Sequence, residues 1–291
     1  MGKLNKSIFG DVIIIIIFIA LMLLCLFPMM NVFSRAMSSP EALIRNEVSI
    51  YPIGLNFDAF RIVWADAKYP WALAWSAILT AICTAVSLTL TVLCAYPFVY
   101  KDLKGRKTIN FLLIFTMYFG AGTIPTFLWY RTLGLIDNPL VLILPGALSV
   151  FNFIIMRSFF YNIPESIRES AEIDGASPVK TLTAIYLPLS KASLATVALF
   201  YAVGRWNGYG DALVFLRDGQ SQWNPIQLLL YNIQQGLQKV DSALMDAAAP
   251  TGLPEAARTA TVVIATVPIL LLYPFLQKYF VAGVTLGAIK E

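Results

Sequence analysis

Apolar residues in this chain gather into runs of about twenty, set apart by polar stretches, and such runs predict membrane-crossing helices. Val12 to Met30 is nineteen residues without a charge, preceded by Lys3 and Lys6. It is longer than the apolar core of a signal peptide, about 7–15 residues, and no small-residue cleavage site follows closely. It therefore reads as a first, uncleaved span with its amino end in the cytoplasm. Five more spans are expected: Trp71 to Tyr100, Ile109 to Tyr130, Leu140 to Phe160, Ala192 to Asn207 (with a possible extension to Leu216), and Thr259 to Gln277. The third is interrupted by Gly120, Gly122 and Pro125, which marks either a moving part or a kink satisfied by neighbours. The sixth contains Pro268 and Pro274.

The polar stretches set the topology. Lys101, Lys104, Arg106 and Lys107 crowd one short turn, which the positive-inside rule places in the cytoplasm. Six spans from a cytoplasmic start leave both termini inside. Residues 31–70 and 208–258 then fall outside, the first as a small subdomain and the second as short helices and turns. The whole chain, 1–291, reads as a single transmembrane domain.

The most structured polar insert runs from Asn162 to Pro188. Asn162 suits a helix cap, Pro164 its first turn, and Glu165 its positive end. Asp174-Gly175 stops that helix, Ser177-Pro178 restarts one, and Pro188 is expected to close it. Ile163, Ile167 and Ala171 share one side of the first helix, with Glu165, Glu169 and Glu172 on another. Val179, Leu182 and Ile185 recur at helical spacing on the second. An apolar stripe beside a carboxylate edge suits docking into a groove on another protein, although an ordinary loop with two helical turns reads the same way.

Composition narrows the function classes. The chain is 58% hydrophobic and 13% charged, about half the charge of a soluble domain. A net charge of +4 is too small to imply nucleic acid. With no histidine, His-based triads, most zinc sites and His proton relays are excluded. Cys25, Cys83 and Cys94 all lie in apolar runs and read as free thiols, not as a disulfide or metal framework. No G-x-x-x-x-G-K-[ST] run is present, so the chain carries no P-loop.

Inside the spans, polar groups are few. In the second, Thr80, Thr84, Ser87 and Thr91 stand at helical spacing beside the small row Ala77, Ala81 and Ala85. Close helix packing is the preferred reading, with a pathway lining as the alternative. Asn152 in the fourth span must face protein or water and serves either helix–helix bonding or substrate contact. Together with Tyr118, beside the break in the third span, and Trp206-Asn207, near the outer end of the fifth, it makes up the candidate translocation pathway.

Glu169-Ser170-Ala171, Gly175 four residues later, then Ile185-x-Leu187-Pro188 resembles the "EAA" loop of ATP-binding-cassette importer permeases. Asp174-Gly175-Ala176 is similar to the version of the carbohydrate-uptake, maltose-type branch, and Trp206-Asn207 is also familiar there. Residues 283–290 look most like the branch that handles oligosaccharides from complex polysaccharides. The resemblance implies the type I importer permease fold, all-α with six transmembrane helices and a cytoplasmic helix–turn–helix coupling loop. It makes Glu165, Glu169, Ala171, Glu172, Asp174, Gly175, Ala176 and Pro188 the ATPase-coupling residues. Implied partners are a second homologous permease, two ATPase subunits that carry ATP and Mg, and an extracytoplasmic solute-binding protein. The chain itself would bind no cofactor and catalyse nothing. The competing class is an ion-gradient-driven secondary transporter, disfavoured because ionisable residues are nearly absent from the span interiors. A membrane-embedded enzyme would need a nucleophile–base pair or metal cluster that the sequence does not offer.

Overall fold

In the computed structural model, residues 8–216, 222–235 and 255–271 are described, and all regular structure among them is helical. The helices are α1 (Ile8–Ala36), α2 (Pro40–Ile44), α3 (Asp58–Ala65), α4 (Lys68–Ala95), α5 (Arg106–Tyr118), α6 (Thr123–Thr132) and α7 (Val150–Tyr161). They continue with α8 (Glu165–Ile173), α9 (Pro178–Thr181), α10 (Leu187–Leu189), α11 (Lys191–Asn207), α12 (Gly210–Phe215) and α13 (Ile226–Gln234), and residues 255–271 form α14. The described residues divide into two compact units, one from residues 8–70, 230–235 and 255–267, the other from 71–216, 222–229 and 268–271.

In the first unit, the apolar stretch of α1 from Gly10 to Ala36 spans 27 residues, or about 40 Å at 1.5 Å per residue, enough to cross a bilayer. Side chains from Val12 to Met30 are exposed. The segment after it, expected to be external, is pinned to the helix end: Asn31 Nδ2 donates to Ser49 O at 2.8 Å and Ser38 Oγ accepts from Ile53 N at 3.1 Å. Arg35 pairs with Glu255 of α14. The sixth expected span begins inside α14, and its remainder, like residues 283–290, lies outside the described residues.

In the second unit, only the 32-residue Lys68–Val99 stretch is long and apolar enough to cross a membrane as one rod. It is α4 with a short 3₁₀ extension, Tyr96–Val99. Among the described residues, two bent helix pairs raise the candidate spans from two to at most four. The third expected span breaks into α5 and α6, which meet at 115°. The break sits at Phe119–Gly122, where Gly122 has φ +85°, while Pro125 lies in the first turn of α6, where its missing N–H costs nothing. The fourth shortens to the 12-residue α7. Pro145-Gly146 interrupts the apolar run upstream of it, and Ser149 caps the helix by accepting from Asn152 N at 3.4 Å. The fifth, α11, leaves the segment Pro178–Leu189 at an angle of 84°. Gly208-Tyr209 ends α11, so the possible extension to Leu216 becomes a separate short helix, α12.

One buried cluster ties these pieces together. Phe98, Phe153, Met156, Phe160, Leu182, Tyr186 and Val197 meet there, contributed by the end of α4, α7, the segment after α9, and α11. Edge-to-face contacts hold Tyr186 against Tyr96 at 5.2 Å and Phe160 at 5.5 Å.

Candidate functional site

Two places bring the sequence-derived residues together, an elbow outside the apolar core and a cavity within it. The elbow is built by local rules. Asn162 does not start the first helix but ends the preceding one, as the C-cap of α7 (φ −76°, ψ −14°). Pro164 takes the N-cap place of α8 without a side-chain cap. At the other end, Gly175 has φ +76°, Gly175 N donates to Glu172 O at 3.0 Å, and Ala176 N donates to Ala171 O at 2.9 Å. This pair of bonds is a Schellman ending with glycine in the left-handed position. Ser177 then caps α9, its Oγ accepting from Lys180 N at 3.3 Å.

Pro188 does not close the second helix. The backbone widens to a π turn over Leu182–Tyr186, Leu187 N bonds Leu182 O, and helix continues to Leu189 before Ser190 ends it. A wider turn removes the clash of the proline ring with the carbonyl four residues earlier, so proline is absorbed as a bulge.

Arg168 organises the first elbow helix, and the sequence reading passed over it. Its guanidinium lies 4.8 Å over the Tyr100 ring and donates to Glu172 Oε1 at 2.7 Å and Glu165 Oε1 at 3.0 Å. Lys101 Nζ reaches Glu165 Oε2 at 2.5 Å. Hydrogen bonding from Lys101 dominates the lowering of the Glu165 carboxyl below its ordinary range, with Arg168 adding to it. Burial works against the charge of Arg168, yet the carboxylates of Glu172 and Glu165 hold its pKa above the ordinary value. The expected carboxylate edge is thus divided. Glu165 and Glu172 are tied to Arg168, while Glu169 stands 4.0 Å from it and is mostly exposed. The expected apolar stripes also divide: Leu182 is buried, Ile163, Ala171 and Ile185 are half-buried, and Ile167 and Val179 are exposed. The most exposed apolar side chains of the elbow are Ile173 at 85% and Val179 at 70%, either side of Asp174-Gly175.

A Cβ added at Gly175 would meet no atom within 4 Å, so substitution there acts through the backbone alone. We expect Gly175→Ala to cost roughly 1–2 kcal/mol of left-handed strain, and Gly175→Val more because its β-branch stiffens the residue further. Thermal melting temperatures of the two variants should fall in that order; equal effects would show that the left-handed conformation is not what matters.

The cavity, about 280 Å³, lies among α4, the approach to α7, and α11. Ser87, Ser149, Asn152, Tyr201 and Arg205 give it polar lining, with Cys83 and Phe200 beside them. Tyr201 Oη is held at both sides, 2.6 Å from Thr91 Oγ1 and accepting from Ser149 N at 3.0 Å. The hydroxyl row of the second expected span is therefore divided. Thr91 joins helices, Ser87 lines the cavity, and the Thr80 and Thr84 hydroxyls are buried with no partner among the described residues. The small row Ala77, Ala81 and Ala85 faces outward instead.

Of the four pathway candidates, Asn152 alone lines this cavity. Trp206 is buried, while Asn207 and Tyr118 are exposed, and none of the three lines it. Arg205, which sequence reasoning left unassigned, lines the cavity wall. It pairs with Asp211 (one contact at 3.0 Å) and donates to the carbonyls of Gly208 at 3.0 Å and Leu142 at 3.2 Å. Among the described residues no cluster of His, Cys, Asp or Glu has the arrangement of a metal site.

Comparison with known proteins adds three findings. Residues 73–286 match the family described as "Binding-protein-dependent transport system inner membrane component". In Bacillus subtilis (strain 168), the polygalacturonan/rhamnogalacturonan transport system permease protein YtcP is 41% identical over 92% of this chain and 93% of its own, and the protein LplC is 38% identical over 90% and 88%. Among solved structures, a chain of a bacterial ABC transporter involved in the import of the acidic polysaccharide alginate superposes with a TM-score of 0.87 at 33% identity, covering 96% of this chain and 99% of the other.

Proposed function

Because the chain belongs to the family of binding-protein-dependent transport system inner membrane components, we propose that it is one permease subunit of an ATP-driven importer for acidic oligosaccharides. The observation that carries this reading is the 41% identity to a polygalacturonan/rhamnogalacturonan permease over nearly the full length of both chains. Similarity to an importer of another acidic polysaccharide supports the substrate class, and Arg205 in the cavity wall is chemically consistent with it. An ion-gradient-driven transporter is not favoured by a binding-protein-dependent family.

In this reading the cavity among α4, α7 and α11 forms half of the translocation pathway, and a second homologous permease supplies the other half. Two ATPase subunits drive the cycle, both chain termini are cytoplasmic, and the elbow is the docking element. Ile173 and Val179 enter a groove on the ATPase, with Glu169 at the rim, while Glu165, Ala171, Glu172, Asp174, Gly175, Ala176 and Pro188 shape the elbow that presents them.

The test is paired uptake and ATPase measurement in reconstituted vesicles. Asn152→Leu is expected to lower oligosaccharide uptake while binding-protein-stimulated ATPase persists, since the elbow is untouched. Glu169→Lys is expected to lower both: the subunit inserts, but stimulated hydrolysis falls at least tenfold and uptake falls with it. Wild-type stimulated hydrolysis in the Glu169 variant would remove the docking assignment. Loss of both activities in the Asn152 variant, with the complex intact, would make Asn152 a helix-packing residue.

A further inference from the structure

We infer that the turn between α4 and α5 forms a second binding site, for the phosphate headgroup of an anionic phospholipid. A cavity of about 640 Å³ opens there, lined by Lys101, Arg106, Lys107 and Arg157 with Asn110 and Tyr161. No carboxylate lines it, and Asp102 of the same turn stands outside the lining. Lys101 is already paired with Glu165. Among the described residues, Arg106, Lys107 and Arg157 form no ion pair with a carboxylate. Three cations therefore share one concavity without a protein counter-charge, an arrangement that self-repulsion disfavours unless an anion joins it.

Two of the cations, Arg106 and Arg157, are also held in place. The Arg157 guanidinium lies 5.5 Å from the Phe153 ring centroid and 6.0 Å from that of Tyr161, and it donates to Asn110 Oδ1, leaving Nε buried without a partner. Arg106 lies 5.3 Å over Tyr161 and donates to its hydroxyl, which in turn donates to Phe98 O at 2.7 Å. Gly105 precedes α5 in the left-handed conformation with no side-chain cap, so the positive end of a 13-residue helix adds to the same side.

A soluble anion would satisfy these groups equally well, but the next turns of α5 favour a lipid. Phe111, Leu112 and Phe115 are exposed apolar side chains beginning one residue beyond Asn110. A ligand with a phosphate at the turn and acyl chains along α5 matches both halves of this surface; basic pockets beside membrane helices are suited to such headgroups.

The test uses the intact transporter complex, purified in a neutral detergent and titrated with short-chain phosphatidylglycerol, with phosphatidylcholine of the same chains, and with inorganic phosphate. Melting temperature and native mass spectrometry report binding, so the outcome does not depend on the transport assignment. Phosphatidylglycerol is expected to bind preferentially, and the Arg106→Gln/Lys107→Gln double variant to weaken it about 25-fold, which is about 2 kcal/mol at 1.4 kcal/mol per tenfold. Lys107→Gln alone is expected to weaken it about fivefold, a fallback should the double variant fail to assemble. Lys104→Gln, in the same turn but outside the cavity, is expected to leave binding unchanged. Equal binding of the two lipids, an equal shift from inorganic phosphate, or an equal loss in the Lys104 variant would each overturn the inference. So would phosphatidylglycerol binding that occurs only after the partner subunits are stripped away, which would assign the surface to a protein contact.

Discussion

Arg168→Met is expected to leave the subunit in the membrane but to reduce substrate-stimulated ATPase activity at least tenfold. The guanidinium is 10% exposed and joins three things at once: the Tyr100 ring at the end of the second span, and the carboxylates of Glu165 and Glu172 on the elbow helix. Both carboxylates are more than a third exposed, so solvent screens these bonds, and they matter more for holding the helix in place than for stability. Methionine keeps the packing volume over Tyr100 but leaves Glu165 and Glu172, each one turn from Glu169, without the cation that offsets their repulsion. Helix α8 then loses the Arg168–Tyr100 contact and keeps the exposed Lys101–Glu165 pair, and under the proposed docking role force applied at Ile173 and Val179 is expected to reach the membrane helices less well. Arg168→Lys is expected to recover only part of the activity, because an ammonium cannot bridge two carboxylates in a fixed fork while lying flat on a ring. Unchanged stimulation in Arg168→Met would show that the elbow couples through its second helix alone.

That arginine illustrates what the sequence made legible and what it did not. Rules that act within a few residues worked where one signal stood alone. Gly175 takes the left-handed position, and Ser177 caps the helix that follows it. They failed where two signals competed. Asn162 is as good at ending α7 as at starting α8, and Pro188 stops a helix only if no bulge is available to accommodate it. Arg168 sits three residues after Glu165 and four before Glu172, a spacing that predicts ion pairing on one helix. Its second contact, the Tyr100 ring, is distant in sequence, and nothing local announces it.

The spans show the same limit. Hydrophobicity marks the apolar runs, but among the described residues only α1 and α4 with its extension are single rods long enough to cross a bilayer. Composition cannot distinguish a run that continues through a bilayer from one that turns back at Gly122 or unwinds at Pro145-Gly146, because the deciding contacts come from other helices. The pathway residues were chosen as the few polar and aromatic groups in apolar runs. That criterion selects Asn152, which lines the cavity, and Tyr118 and Asn207, which are exposed; it leaves out Arg205, which lines the cavity and pairs with Asp211 six residues away.

Arg205 supports the second large prediction. Its side chain is 11% exposed and that of Asp211 32%, so Arg205→Met leaves a largely buried carboxylate without its counter-charge and frees the Leu142 and Gly208 carbonyls at the cavity wall. A loss of about 3 kcal/mol is expected, the low end for breaking a buried pair because Asp211 retains some contact with solvent. The double variant Arg205→Met/Asp211→Leu should recover most of that stability, since replacing both partners with apolar groups removes the stranded charge. Uptake separates structure from selectivity. If Arg205 serves only to hold α11 and α12 together, the stable double variant will transport acidic and neutral oligosaccharides in wild-type proportion. If its charge also offsets a substrate carboxylate in the cavity, uptake of an oligogalacturonide will stay at least tenfold below wild type while a neutral oligosaccharide of the same length is carried no worse. The second outcome is expected, because the guanidinium lines a cavity that no carboxylate lines. Full recovery of acidic-substrate uptake in the double variant would leave the Arg205–Asp211 pair as a packing device and remove it from the pathway.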